Sequence, residues 1–207
     1  MAADIFHAQP ALGSHPLCAP TEAPRFRATI VLLRAPDPSP PLTGLAPIVS
    51  DRTRVLILGS FPGARSIAEQ RYYAHPQNHF WKILQALWPM HPVPAGAGSG
   101  EPDRERAEWL LARGLGVWDV YASCRREGSL DTAIRDAVTN DIAGFALPRL
   151  AAVAHNGGES FRHARHTRGL GVPVLRLPSS SPANASWSFE RKLAAWREAF
   201  EPHLELK

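Results

Sequence analysis

Val55-Leu56-Ile57-Leu58-Gly59-Ser60-Phe61-Pro62-Gly63 is the stretch that decides the fold. Four consecutive apolar residues stopping at a glycine suit a strand covered on both faces, because a strand with one wet face alternates. Helix-compatible residues 64–70 (ARSIAEQ) follow, so the first readable unit is strand, loop, helix. The same grammar recurs downstream. Residues 116–121 (GVWDVY) predict a second strand, 151–154 a third that runs into Asn156-Gly157-Gly158, and 172–177 a fourth before the polar loop 178–186. Helices are expected over 81–88, 101–113, 141–147 (ended by Pro148), 159–168 and 188–203, the last with Phe189, Leu193, Trp196 and Phe200 at helical spacing. Strands alternating with helices imply an α/β sandwich with a mostly parallel sheet, in which ligands bind beyond the carboxyl ends of the strands. GSFPG, WDV-YASC, HNGG and LPSSSPANAS each follow a predicted strand, so all four should gather along that edge. No internal repeat is visible.

Composition narrows the class. The chain has 207 residues, room for one domain with a real core. Two cysteines, Cys18 and Cys124, cannot build a disulfide scaffold, a four-cysteine zinc site or a cysteine-ligated iron–sulfur cluster. No apolar run approaches the roughly 18 residues of a membrane span, so no membrane partner is expected. The start MAADIFHAQP lacks the basic-then-apolar order of a secretory signal, which gives cytoplasm as the expected location, with reduced thiols. Net charge is +4, and of 23 basic residues only Lys82, Lys192 and Lys207 are lysine. Arginine forks pair with phosphate oxygens and so suit a polyanion, although GC-rich coding also enriches arginine. Residues 1–42 read as a proline-rich, largely disordered extension, with only 28–33 (ATIVLL) able to form a strand. An over-called translation start and a functional arm carrying Arg25, Arg27 and Arg34 stand as alternatives. Residues 43–207 are the expected domain, with a monomer as the default.

Individually the motifs are weak. GSFPGARS could cradle a phosphate, but it lacks the Gly-Lys-Ser/Thr ending of a P-loop, and a tight turn explains it as well. Ser60 has no Gly-x-Ser-x-Gly elbow to make it a nucleophile. His75 and His79 have no cysteine or carboxylate at ligand spacing, so no metal and no other cofactor is expected.

Together, GSFPG, YYAHPQNHFW, WDV with SCRREGSLD, HNGG and LPSSSPANAS, in this order, resemble the uracil-DNA glycosylase superfamily, and within it the DNA-deoxyinosine (hypoxanthine-DNA) glycosylase branch. The resemblance spans residues 45–203. It implies a three-layer α/β/α sandwich with a central four-stranded sheet. It also implies a monofunctional base-excision repair enzyme that flips a deaminated base from DNA and hydrolyses its N-glycosidic bond. Better-known branches carry an Asp or Asn before the first-loop proline to activate water; this chain has Phe61 there, which cannot accept a proton. In the deoxyinosine branch the essential residue maps onto Asn78. A preorganised donor aimed at the departing base contributes about 3 to 4 kcal/mol, and the Asn78 amide can supply one without titrating.

On the same basis Phe61 and Tyr73 are candidates to sandwich the flipped base, with Phe80 a further stacking candidate; such stacking contributes roughly 1 to 3 kcal/mol per base. Asn156 can read a base edge or orient water, or merely cap the turn before two glycines. Asp119 occupies the position where uracil-specific members carry a uracil-reading Asn. A carboxylate there can accept the N1–H of hypoxanthine but, when ionised, repels a carbonyl alongside, so Asp119 is expected to turn the pocket from uracil; a buried Asp holding local backbone is the alternative. Arg125, Arg126 and Ser129 are expected at DNA phosphates, with Ser179, Ser180, Ser181, Pro182, Ala183 and Asn184 pressing the minor groove. Lyase chemistry needs an amine, and only Lys82 lies near a motif, so hydrolysis is expected. A uracil or mismatch-specific glycosylase, a catalytically weak nucleic-acid-binding protein and a Ser60 hydrolase are the competing readings.

Overall fold

The computed structural model describes residues 40–96 and 103–206. In chain order the elements are β1 (Leu42–Thr43), β2 (Val55–Gly59), α1 (Ala64–Glu69), α2 (Phe80–Leu87), α3 (Arg104–Ala112), β3 (Leu115–Asp119), β4 (Tyr121–Arg125), β5 (Arg135–Thr139), β6 (Ala152–Asn156), α4 (Gly158–Phe161), α5 (Ala164–Thr167), β7 (Val174–Leu177) and α6 (Phe189–Phe200). Strands β3, β2, β6 and β7 lie in that order in one parallel sheet, Gly59 opposite Asp119 and Asn156 opposite Leu177. From β2 the chain builds first to one side (β3) and then to the other (β6, β7). The crevice at such a reversal is where ligands bind in parallel sheets.

The apolar run of β2 divides by a period of two. Val55 and Ile57 enter one core with Leu115, Val117, Ala152 and Ala154, beneath Phe80, Ile83 and Leu84 of α2, Leu110 of α3, and Trp196 and Phe200 of α6. Leu56 and Leu58 enter a second core on the opposite face with Trp118, Val153, Phe61, Tyr121 and Cys124, against which Ile67 of α1 packs. Helices on both sheet faces give the three-layer sandwich expected. Each fully buried Leu or Ile contributes about 1.5 to 3 kcal/mol, so an uninterrupted apolar strand is what two covered faces require.

Elsewhere the chain departs from the sequence reading. The segment read as one strand at 116–121 ends at Asp119; the Val120 and Tyr121 amides then donate to Gly59 O and Ser60 O (2.9 and 3.0 Å), and the chain turns away. YASC is therefore not a loop but β4, the middle of an antiparallel sheet ordered β1-β4-β5. Residues 141–147 are turns rather than a helix: Asp141 Oδ1 takes the Gly144 amide at 3.1 Å, and Gly144 does not propagate a helix. The helix expected over 159–168 is two short ones, α4 and α5, with His163 between them bonded to the Tyr121 hydroxyl at 2.7 Å. The strand proposed at 28–33, and all but residues 40–42 of the proline-rich segment, lie outside the described residues. Among the described residues no helix is long and apolar enough to cross a membrane.

Candidate active site

Gly59, Asp119, Asn156 and Leu177 are the last residues of β2, β3, β6 and β7, so the loops singled out by sequence do converge on one edge. Close approach dictates Gly59: a Cβ there would collide with Asp119 Oδ1 and lie 3.3 Å from the Tyr73 hydroxyl. Tyr73 adopts a left-handed backbone (φ 53°), a conformation that costs a non-glycine residue about 1 kcal/mol or more and that only a firm surround maintains. The surround is visible. The Tyr73 ring stacks on Phe80 at 3.8 Å, and its hydroxyl accepts from Asn156 Nδ2 at 3.2 Å.

Asn156 is the hub of the last loop. Its Nδ2 also donates to Ser180 Oγ (2.9 Å), and its Oδ1 accepts from the Ser180 amide (2.9 Å). Ser180 O in turn accepts from the His79 amide (2.9 Å), at the start of α2. One residue before, Asn78 Oδ1 accepts from the Phe80 amide at 3.0 Å, while its Nδ2 has no partner among the described residues. Ser180 thus ties the HPQNHFW loop, the end of β6 and the 178–186 loop into one unit.

Several expected site residues change role in this geometry. Ser180, expected at the minor groove, is fully buried and bonded on all sides, so it holds the loop rather than touching DNA. Pro182 and Ala183 form the exposed tip; Ser179 and Ser181 are half-buried, and Asn184 Nδ2 donates to Ser179 O at 3.1 Å. Phe80, expected to stack a base, is also fully buried, its face under Tyr73 and its ring nearly perpendicular to those of Trp81 and Trp196; it supports Tyr73 instead. Phe61 is buried with the Arg126 guanidinium 5.1 Å above its ring.

Arg126 is not a solvated phosphate ligand. Its Nη2 donates to Pro62 O, and its Nε and Nη1 are buried without partners among the described residues. Ser129 Oγ accepts from the Ala64 amide (3.0 Å), and Asp131 Oδ1 accepts from Ser60 Oγ (2.6 Å). Residues 126–131 therefore strap the GSFPG loop at two points, Ser60 and Pro62, and the start of α1 at a third, Ala64. Asp131 closes the SCRREGSLD stretch, but nothing in the sequence pairs it with Ser60, 71 positions away. No histidine bonds either residue among the described residues, which removes the hydrolase reading of Ser60. Arg125 lies 3.5 Å from Asp136. Lys82 is exposed, whereas Lys192, far from the motifs in sequence except the last loop, is buried beneath that loop and donates to Ser181 O at 3.3 Å; burial holds its pKa below the ordinary lysine value.

Asp119 is the unusual group. It is 3% exposed and its Oδ2 has no hydrogen-bond partner among the described residues. Burial, reinforced by the charge of Asp131 and opposed by Arg126, pushes its carboxyl up to about 7. Burial likewise raises the Tyr73 phenol, which stays protonated. The His79 ring, its Nδ1 buried without a partner among the described residues, is pushed toward its neutral form by burial and by Lys192 and Lys82. Among the described residues no three histidine, cysteine or carboxylate side chains cluster as metal ligands would.

Comparison with known proteins agrees with this architecture. Residues 46–202 match the family described as the Uracil DNA glycosylase superfamily. A hypoxanthine DNA glycosylase of Methanosarcina barkeri is 35% identical over 165 residues, covering 76% of this chain and 97% of the relative. A protein of the same name from Methanosarcina acetivorans is 33% identical over 164 residues, covering 76% and 96%. The solution NMR structure of a Methanosarcina acetivorans protein superposes with a TM-score of 0.66 at 30% identity, covering 78% of this chain and 98% of that one. With the family match running from before β2 to past α6, and relatives aligned over nearly their whole length, the chain belongs to the uracil DNA glycosylase superfamily and is a DNA glycosylase.

Proposed function

We propose that this enzyme releases hypoxanthine from deoxyinosine in DNA by hydrolysis, without strand cleavage, as a step of base-excision repair. The observation that carries the proposal is the composition of the sheet edge. A hydroxyl-rich loop is fixed through Ser180 to Asn156 and to the start of α2, beside Asn78 and a strained Tyr73, while Phe61 occupies the first-loop position from which other branches activate water. Such a site works through donors and stacking rather than a strong base. The relatives bearing the name hypoxanthine DNA glycosylase support the choice of lesion.

In this reading the flipped base lies against Tyr73, and the Asn78 amide donates to it as the glycosidic bond stretches. The sugar becomes oxocarbenium-like while negative charge gathers on the base. Fixed amide dipoles facing that charge lower the barrier, and water adds readily to the cation. Asp119 reads the base edge. The Lys192 amine, buried and bonded to Ser181 O, is not offered to the sugar, which favours hydrolysis.

The test uses duplexes bearing hypoxanthine, uracil or xanthine opposite each base, followed by alkaline cleavage of abasic sites. Hypoxanthine release is expected to exceed the others. No cleavage of any lesion defeats the function, and full activity in Asn78→Ala defeats the assignment of Asn78. Borohydride trapping of a covalent complex would defeat the hydrolytic reading.

A further inference from the structure

The surroundings of Asp119 argue against an ionised carboxylate. The residue sits at the end of β3, 3% exposed, with Oδ2 unpartnered among the described residues and Oδ1 in the space a Cβ on Gly59 would need. No arginine or lysine forms an ion pair with it among the described residues. Groups that influence it from packed elements are Asp131 and Arg126 in the strap and Tyr72 and Tyr73 before α2. The tyrosines are neutral, Asp131 is a like charge bound to Ser60, and Arg126 directs its one bonded nitrogen at Pro62 O. A buried carboxyl with no donor on its oxygen and an acid for a neighbour favours its proton-bearing form.

The chemistry proposed for the site makes the same demand. The departing base gathers negative charge, and a carboxylate against its edge would raise the barrier. A carboxylic acid instead donates to a base carbonyl with one oxygen and accepts the adjacent ring N–H with the other, and the donated bond strengthens as the base becomes anionic. We infer that Asp119 reads the flipped base as a neutral carboxylic acid, giving its proton in a hydrogen bond to a base carbonyl oxygen and accepting from the neighbouring ring N–H. This inference rests on the proposed glycosylase reading and adds the protonation state in which the site works. No proton is transferred in the ground-state complex, and the same acid is regained when the free base leaves.

Single-turnover hypoxanthine release, followed from about pH 6 to about pH 9 in the wild type, Asp119→Asn and Asp119→Ala, tests it. Wild-type release should fall by up to about tenfold per pH unit above about pH 7 as the acid ionises. Asp119→Asn, which keeps one donor and one acceptor but cannot titrate, should lose that alkaline limb; Asp119→Ala should be slow throughout. The hypoxanthine ring titrates identically in all three, so any limb that Asp119→Asn keeps belongs to the substrate; a wild-type decline no earlier and no steeper than that of Asp119→Asn overturns the inference, as does wild-type release that is flat or rises with pH. A second measurement needs no substrate. A carboxyl raised in the folded state holds a proton that the unfolded chain has lost, so wild-type stability carries a penalty that grows between about pH 4 and about pH 7 and is complete above. Asp119→Asn should therefore gain melting temperature at pH 8 relative to pH 5. An equal effect at both pH values overturns the neutral acid even if hypoxanthine is released. Absence of release from the wild type at every pH, with the melting shift intact, defeats the substrate reading instead.

Discussion

The side-chain amide of Asn156 grips Ser180 twice, Nδ2 donating to the Ser180 hydroxyl and Oδ1 accepting the Ser180 amide, both at 2.9 Å. Ser180 is fully buried, so its amide has no water to fall back on. Asn156→Ala strands that amide and should cost about 1 to 3 kcal/mol in denaturant unfolding, whereas Ser180→Ala removes one acceptor and should cost about 1 kcal/mol. The double variant should cost less than the sum, because both remove the same bond. Additive losses would show that the pair is not a unit.

Asn78 has one oxygen committed to the Phe80 amide. Asn78→Ala should lower hypoxanthine release by about 100-fold or more, the scale of losing a well-placed donor. The lost bond to the Phe80 amide should lower stability by about 1 kcal/mol. Asn78→Asp keeps the acceptor for the Phe80 amide and lacks the donor, so it should recover stability without recovering release. Comparing unfolding and single-turnover rates of the two variants separates the roles.

Arg125 and Arg126 are neighbours in sequence with different surroundings. Arg125 is half-buried beside the exposed Asp136, while Arg126 covers Phe61 and donates to Pro62 O. Arg125→Ala should flatten the salt dependence of duplex binding by about one unit of slope. Arg126→Ala should leave the slope in place and lower thermal stability, since it uncovers Phe61 and frees the first loop. Binding isotherms at several salt concentrations check both.

His155 lies fully buried on β6 between Ser160 Oγ (2.8 Å) and Thr167 Oγ1 (3.0 Å), and burial lowers its pKa to about 4. The folded ring is therefore neutral where the unfolded one, near 6.5, has taken a proton. Stability is complete above pH 6.5 and declines as pH falls from there to about 4, by on the order of 3 kcal/mol from this ring. In His155→Asn that part of the acid decline should vanish from a series of melts.

Local pattern carried most of the fold. The apolar run of β2, the small-residue strand β6 and the periodic face of α6 announce themselves within a few residues of chain, as do the glycines and prolines that end them. The motifs that follow those strands were legible for the same reason, and with them the sheet edge where the site sits. β4 and β5 were not, because Tyr121–Arg125 and the wholly exposed Arg135–Thr139 have no apolar alternation to mark them and become strands only by pairing with each other. The site's wiring also waited for tertiary structure: Asp131 on Ser60, Lys192 under Ser181, Ser180 inside Asn156. Those partners come from distant parts of the chain, and no spacing rule joins them. Sequence alone determined which residue types the site holds. Folding decided which of them are covered, and coverage sets function here: it turns Phe80 into a support, Ser180 into a tie and Asp119 from a charge into an acid, because removing water changes what a polar group can do.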